Sequence, residues 1–302
     1  MRFVSFRKNG EPGLAIASEG GLHGLVKSRA EHPVDLGALI SEGGDALDVA
    51  GRSLKNAPPL DTEELVYGPP FANPSKIICV GLNYADHTKE SPYEQPDYPT
   101  LFPRFPSSLV GHGQSLVRPR GCEGLDFEGE MVAVIGRGGR HISREEALSH
   151  VAGYSMFNDA SVREYQFKSP QWTVGKNFDG TGAFGPCFVT ADEAPAGGKG
   201  LRLQTRLNGA VVQSASTSDM LFDVETLIAI ISEAITLSPG DVLVTGTPAG
   251  IGWARKPRLL MRQGDVCEVE IEGLGLLCNT VVDETPRAGS ANITQEYQLG
   301  TP

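Results

Sequence analysis

Three acidic side chains have the spacing most suited to chemistry. Glu128 and Glu130 stand two apart in LDFEGEMVAVIG, residues 125–136, and Asp159 follows the apolar run of residues 151–157. If residues 125–136 form a β-strand, side chains alternate between its faces. Glu128 and Glu130 then share one face with Val132 and Val134, and Phe127, Met131, Ala133 and Ile135 take the other. Both faces turn apolar after Glu130, the pattern of a strand covered on both sides. Two carboxylates at the mouth of such a strand repel each other and lose hydration, so keeping them ionised needs a positive charge nearby. A divalent cation supplies it: the oxygen set Glu128, Glu130 and Asp159 suits Mg²⁺, Mn²⁺ or Ca²⁺ and suits Zn²⁺ poorly. Three ligands leave positions open for water and substrate oxygens. The competing reading is an edge strand with two solvated glutamates and a turn aspartate beside Asn158. The spacing alone leaves both open.

A second constellation is His87 with Glu90. On a helical turn, positions three apart share a face. Glu90 would hold one imidazole nitrogen and raise the basicity of the other, making His87 a general base. The alternative is an exposed pair on a polar surface. Lys176, between Trp172 and Phe178, suits stabilisation of a developing oxyanion, or is a snorkelling surface lysine. Thr245, Gly246 and Thr247 end an apolar strand and offer hydroxyls and close backbone N–H groups, or form an ordinary turn.

The elements that must position these groups read as a β-rich α+β chain with few helices. Residues 1–70 read as a small N-terminal α/β domain, with a hairpin around Asn9-Gly10 and one or two short helices between Asp35 and Ala50. Proline-rich punctuation follows at residues 57–59 and 68–70. Residues 71–285 read as the larger domain. Residues 77–80 form a buried strand, and residues 91–106 a proline-rich loop. Ser143 and Glu146 predict a capping box and a short helix ending near Gly153. Asn208-Gly209 predicts a hairpin within residues 201–214. Asp223 caps a helix with Val224, Leu227, Ile228, Ile231 and Ile235 on one face. Residues 286–302 read as a polar C-terminal tail.

The formal net charge of −11 over 302 residues argues against nucleic acid or an anionic membrane as partner. It leaves room for a small anionic substrate drawn by a local cation. Five widely spaced cysteines with no CxxC favour reduced thiols in a cytoplasmic protein.

Taken in order, ICVGLNYADHTKE, LDFEGEMVAVIGR, GYSMFNDASVREYQ, WTVGKNFDGTGAFGP and LSPGDVLVTGTPAGIG resemble the motif set of the fumarylacetoacetate hydrolase family, across roughly residues 76–283. The resemblance implies a mixed β-sandwich or roll enclosing the site, in a homodimer. It implies a divalent cation, Mg²⁺ foremost, on Glu128, Glu130 and Asp159. It places His87 and Glu90 on a catalytic H-x-x-E dyad carried by a lid segment. Gln166, Lys176 and Thr247, with Gly246 beside it, fall at the substrate, and Arg163 supports them. One departure stands out. Where many members have lysine in a Leu-Phe-x-Lys-Pro pattern, this chain has Arg104 after Leu101, Phe102 and Pro103. Its planar fork is expected to contact substrate differently.

The implied activity is metal-dependent hydrolysis of a C–C bond in a β-diketo acid. The substrate would be an acylpyruvate, fumarylpyruvate-like or a sugar-derived 2,4-diketo acid, giving pyruvate and a carboxylic acid. His87 would activate water, and Lys176 would stabilise the oxyanion. Decarboxylation of an oxaloacetate-type acid and isomerisation of a hydroxymuconate-type diene use the same enolate chemistry and stand as alternatives. A non-catalytic cation-binding protein on this fold is the alternative from another class. The presence of both the carboxylate set and the dyad argues against it.

Overall fold

A computed structural model describes residues 1–33, 35–90, 94–95 and 97–285. The expected tail of residues 286–302 lies outside the described residues. The chain opens on three antiparallel strands, β1 (Arg2–Lys8), β2 (Glu11–Ser18) and β3 (Gly21–Val26). The turn between β1 and β2 is Asn9-Gly10, with φ of 53° and 82°, the left-handed pair that a tight hairpin requires. Two helices, α1 (Leu36–Glu42) and α2 (Ala46–Lys55), follow, and then the short strand β4 (Leu65–Tyr67).

Next come β5 (Ile77–Gly81), α3 (Ala85–Glu90), β6 (Thr100–Pro103), β7 (Leu109–Val110), β8 (Leu116–Arg118), β9 (Gly129–Ile135) and β10 (Val151–Asp159). Two short helices, α4 (Arg163–Gln166) and α5 (Thr173–Lys176), precede β11 (Gly182–Thr190). The hairpin β12 (Arg202–Leu207) and β13 (Ala210–Ser216) turns at Asn208-Gly209, and α6 (Val224–Ala234) starts at Asp223, whose carboxylate accepts the Thr226 N–H. The last strands are β14 (Val242–Val244), β15 (Val266–Ile271) and β16 (Gly275–Asp283).

Among the described residues, eleven strands form one sheet, in the order β3-β2-β1-β11-β10-β9-β14-β5-β6, with β4 on β1 and β7 on β11. Five form a second sheet, β13-β12-β15-β16-β8. The segment read as a small domain of its own is thus stitched to the larger one: Phe3 of β1 pairs with Phe188 of β11.

β9 lies between β10 and β14 and is buried along its whole length, so the reading of a solvated edge strand falls. Its two faces divide as alternation predicts. Met131, Ala133 and Ile135 join Leu203, Val269 and Ile271 of the second sheet. Val132 and Val134 join Phe157, Phe184, Phe188 and the α1–α2 helices. The second sheet crosses close over Gly129, where an added Cβ would collide with Thr205.

Two local expectations are corrected. The helix expected after Ser143 is a single 3-10 turn at Ala147–His150, and Gly153 lies in β10. Ser143 Oγ does accept the Glu146 N–H, but pairing of Val151 with Ile135 across to β9 takes the chain into the sheet instead. The proline-rich loop contains β6, paired with β5 from Ile78↔Pro103 to Gly81↔Thr100. β6 closes one end of the sheet order, where proline's missing N–H costs no ladder bond.

Candidate active site

The site forms where β9, β10 and α5 meet the ends of β5 and β14. Glu128 precedes β9, Glu130 lies within it and Asp159 ends β10. The two strands hold the three together, since Phe157 pairs with Glu130 and Asp159 donates its N–H to the Glu128 carbonyl at 2.8 Å. One ligand oxygen from each carboxylate lies within 4.8 Å of the others, and all three residues are buried. Opposite oxygens around a hard divalent cation stand about 4–5 Å apart, so the set is spaced for one such ion.

The charges show what such an ion would meet. Lys176 Nζ lies 2.6 Å from both Glu128 Oε2 and Asp159 Oδ2. Arg163 donates through Nη2 to Glu128 Oε1 at 2.5 Å and through Nε to Asp126 Oδ2 at 2.8 Å. Arg104 Nε sits 2.6 Å from Asp159 Oδ1. Four buried carboxylates (Asp126, Glu128, Glu130, Asp159) therefore face three buried cations. Burial opposes ionisation of Glu128, but Arg163 and Lys176 outweigh it and hold the carboxyl at about 2. Glu130 has no such cation of its own. Burial first, then Asp159 and Glu128, push its carboxyl well above the usual range, although the Gly246 N–H reaches it at 2.6 Å. The uncompensated charge thus falls on Glu130, inside a set of hard oxygen donors. That is the electrostatic deficit a divalent cation fills. Burial also disfavours the Lys176 ammonium, yet Asp159 and Glu128 raise its pKa above the ordinary value.

His87 is buried on α3, with Nδ1 3.0 Å from Glu90 Oε1. The Glu90 carboxylate is seated in turn by the N–H groups of Gly250 at 2.9 Å and Ile251 at 3.3 Å. The pair read from spacing is therefore a built dyad, and Nε2 is the ring nitrogen left for chemistry.

One cleft of about 530 Å³, part of it open to solvent, brings together His87, Glu90, Glu128, Glu130, Gln166, Lys176 and Thr247. Two expected substrate contacts lie elsewhere. Arg104 is fully buried behind Asp159, donating to the Ala160 carbonyl at 2.7 Å, and it does not line the cleft. Its extra reach past lysine carries the guanidinium over Gly182, where a Cβ would strike Arg104 Nη1, to the far side of the aspartate. Gly246 likewise holds Glu130 rather than facing the cleft.

Three participants escaped the sequence reading. Asp126 accepts the N–H groups of Gly252 at 2.7 Å and Trp253 at 3.0 Å while holding Arg163. Its signal was present, because Asp126, Glu128 and Glu130 fall on alternate positions of one stretch. Gln213, from the second sheet, accepts the Gly129 N–H at 3.0 Å and donates to Thr247 Oγ1 at 2.8 Å. Trp253 lines the cleft mouth. Neither of these two had a local signal. The glycine-rich loop of residues 245–254 turns out to be an organiser. Its N–H groups reach Glu130, Glu90 and Asp126 in succession.

Comparison with known proteins agrees with this fold. The family described as Fumarylacetoacetate (FAA) hydrolase C-terminal matches residues 76–282. The mitochondrial oxaloacetate tautomerase of Rattus norvegicus is 39% identical over 288 residues, 93% of this chain and 92% of that protein. The Homo sapiens mitochondrial oxaloacetate tautomerase FAHD2A is 39% identical over 289 residues, with the same coverage. Among solved structures, a fumarylacetoacetate hydrolase from psychrophilic Exiguobacterium antarcticum superposes with a TM-score of 0.81 at 37% identity, covering 94% of this chain and all of that one. No helix among the described residues is long and apolar enough to cross a membrane.

Proposed function

The chain belongs to the fumarylacetoacetate hydrolase family, and from that premise we propose that it is a Mg²⁺-dependent enzyme interconverting the enol and keto forms of a small 2-oxo acid. The observation that carries this reading is the buried triad Glu128, Glu130 and Asp159, two of whose members, Glu128 and Glu130, line one cleft with the His87–Glu90 dyad. The relatives named as oxaloacetate tautomerases support the reaction type. A divalent cation on the triad would supply, when bound, Lewis-acid stabilisation of negative charge on the oxygens of a 2-oxo acid.

The chain's own residues supply the rest. Glu90 fixes the His87 ring through Nδ1, so Nε2 is set to take or give the proton exchanged at C3 of the acid. The Lys176 ammonium, poised among the carboxylates, balances charge at the C2 oxygen as the enol hydroxyl passes its proton to water in the open cleft and C3 gains one from His87 Nε2. Gln166, its Oε1 fixed by Arg163 Nη1 at 2.7 Å, turns its amide N–H₂ to the substrate.

The dyad supports a second reading, hydrolysis of an acylpyruvate. A histidine made basic by a seated glutamate can activate water, which adds to the distal carbonyl and releases a carboxylic acid and the enol of pyruvate. One assay set separates the readings. Decay of enol absorbance for oxaloacetate and for alkyl or aryl 2-oxo acids reports tautomerisation. Pyruvate plus an acid from acylpyruvates reports hydrolysis, and CO₂ reports decarboxylation. We expect Mg²⁺-dependent enol decay. Glu128→Ala is expected to lose metal binding and turnover together. His87→Ala should keep the metal and lose at least about a hundredfold in rate. Enol decay in His87→Ala at the wild-type rate would show that the dyad is not the proton carrier.

A further inference from the structure

We propose that the substrate's C3 substituent is uncharged and flat, an aryl or acyl group rather than a tail ending in a carboxylate. The proposal rests on reading the cleft as a 2-oxo-acid site and goes on to name the class of acid. It comes from an asymmetry of the cleft. Its charged groups are the carboxylates, Lys176 and Arg163, and the rest of its lining is largely aromatic, starting at Phe102, whose ring lies 5.1 Å below the Lys176 ammonium. Trp172 and Phe102 pack edge to face with ring centroids 5.5 Å apart. Phe167 and Trp253 form a second pair at 5.7 Å. Phe167 is 40% exposed, a large apolar ring left in water at the mouth of a polar site. With Trp253 it gives the cleft an apolar edge that a flat group on the ligand would cover.

A distal carboxylate would need a cation on those walls, and among the described residues the lysine and arginine side chains that line the cleft are Arg163 and Lys176, both already bonded. Arg163 spends Nε on Asp126, Nη1 on Gln166 and Nη2 on Glu128. Lys176 is bound to Glu128 and Asp159. At the rim, Arg258 lies over the Trp253 ring at 3.4 Å and pairs with Glu123, and Lys168 lies over Tyr165 at 3.7 Å. A carboxylate moved from water to the aromatic walls would lose hydration without a partner, whereas a flat apolar group gains by burial there.

The test uses three inert oxamates, so it does not depend on turnover. All share the 1-carboxylate and 2-oxo head. Oxamate carries no tail, N-phenyloxamate carries a flat apolar one and N-oxalylglycine carries a carboxylate. Each is titrated into the Mg²⁺-loaded full chain by calorimetry. N-phenyloxamate is expected to bind at least about tenfold tighter than N-oxalylglycine. Phe167→Ala should narrow that preference, and Phe167→Arg should reverse it by placing a free guanidinium at the mouth. The proposal is overturned if N-oxalylglycine binds wild type as tightly as N-phenyloxamate, or if the phenyl tail adds nothing over oxamate. Failure of oxamate itself to bind would remove the 2-oxo-acid reading, and this one with it.

Discussion

At the residue scale, the site is a charge-balance problem solved with one deficit left over. Glu128 and Asp159 each have cations, and Glu130 has only a backbone N–H. Because the Glu130 carboxyl is raised by burial and by Asp159 and Glu128, the folded metal-free protein holds a proton that the unfolded chain releases above the ordinary carboxylate range. Stability from this group is therefore full at acid pH and is lost as pH rises through its raised value. A cation must displace that proton. Mg²⁺ binding is expected to release protons and to tighten with rising pH across this window. Calorimetry in two buffers of different ionisation heat measures the release, and equal apparent heats would refute it. Asp126 belongs to the same scale. It ties the residue 252–253 backbone to Arg163, which in turn holds Glu128 and Gln166. Asp126→Asn turns an N–H₂ toward one of those donors and leaves Arg163 half paired. The expected loss is about 3–5 kcal/mol in denaturant unfolding.

At the element scale, two short pieces aim the dyad. The turn between β5 and α3 is pinned by Asn83, whose amide donates to the Thr245 carbonyl at 2.8 Å and whose Oδ1 accepts the Phe222 N–H at 2.8 Å. α3 then lays Glu90 onto Gly250 and Ile251. Phe222 leads directly into α6, so the helix cap at Asp223 also bears on the site. Asp223 accepts from Thr226 N–H and Oγ1 and pairs with Arg144 and Lys199. Asp223→Ala is expected to cost about 1 kcal/mol by loss of the cap. Thermal unfolding measures it. Unchanged stability would show that the buried face of Val224, Leu227, Ile228 and Ile231 holds the helix without its cap.

At the scale of the whole molecule, the N-terminal hairpin is part of the sheet that builds the site. β1 pairs with β11, β11 with β10, and β10 ends in Asp159. Phe3 is fully buried against Phe188. Phe3→Ala should cost about 3–5 kcal/mol. It should lower the unfolding transition reported by Trp172 and Trp253 fluorescence, though both tryptophans lie at the cleft. A separate, earlier transition with tryptophan emission unchanged would show that the first strands unfold on their own.

Much of this was legible in the residues themselves. Period-two alternation gave the two faces of β9, Asn-Gly pairs gave both hairpins, and Asp223 gave the start of α6. Acid spacing raised the triad and the dyad as candidates and left the bland readings open, and the ordered family motifs selected between them. These are local rules, set by side-chain direction and turn geometry within a few residues. Tertiary structure alone decided which side of Asp159 Arg104 would occupy, because that depends on the gap over Gly182. It also decided that residues 245–254 would seat three carboxylates drawn from separate stretches, and that Gln213 would reach in from a second sheet. Such contacts join positions from 34 to 160 residues apart. Neither partner's sequence records where the other will lie, because the packing of the two sheets fixes that distance.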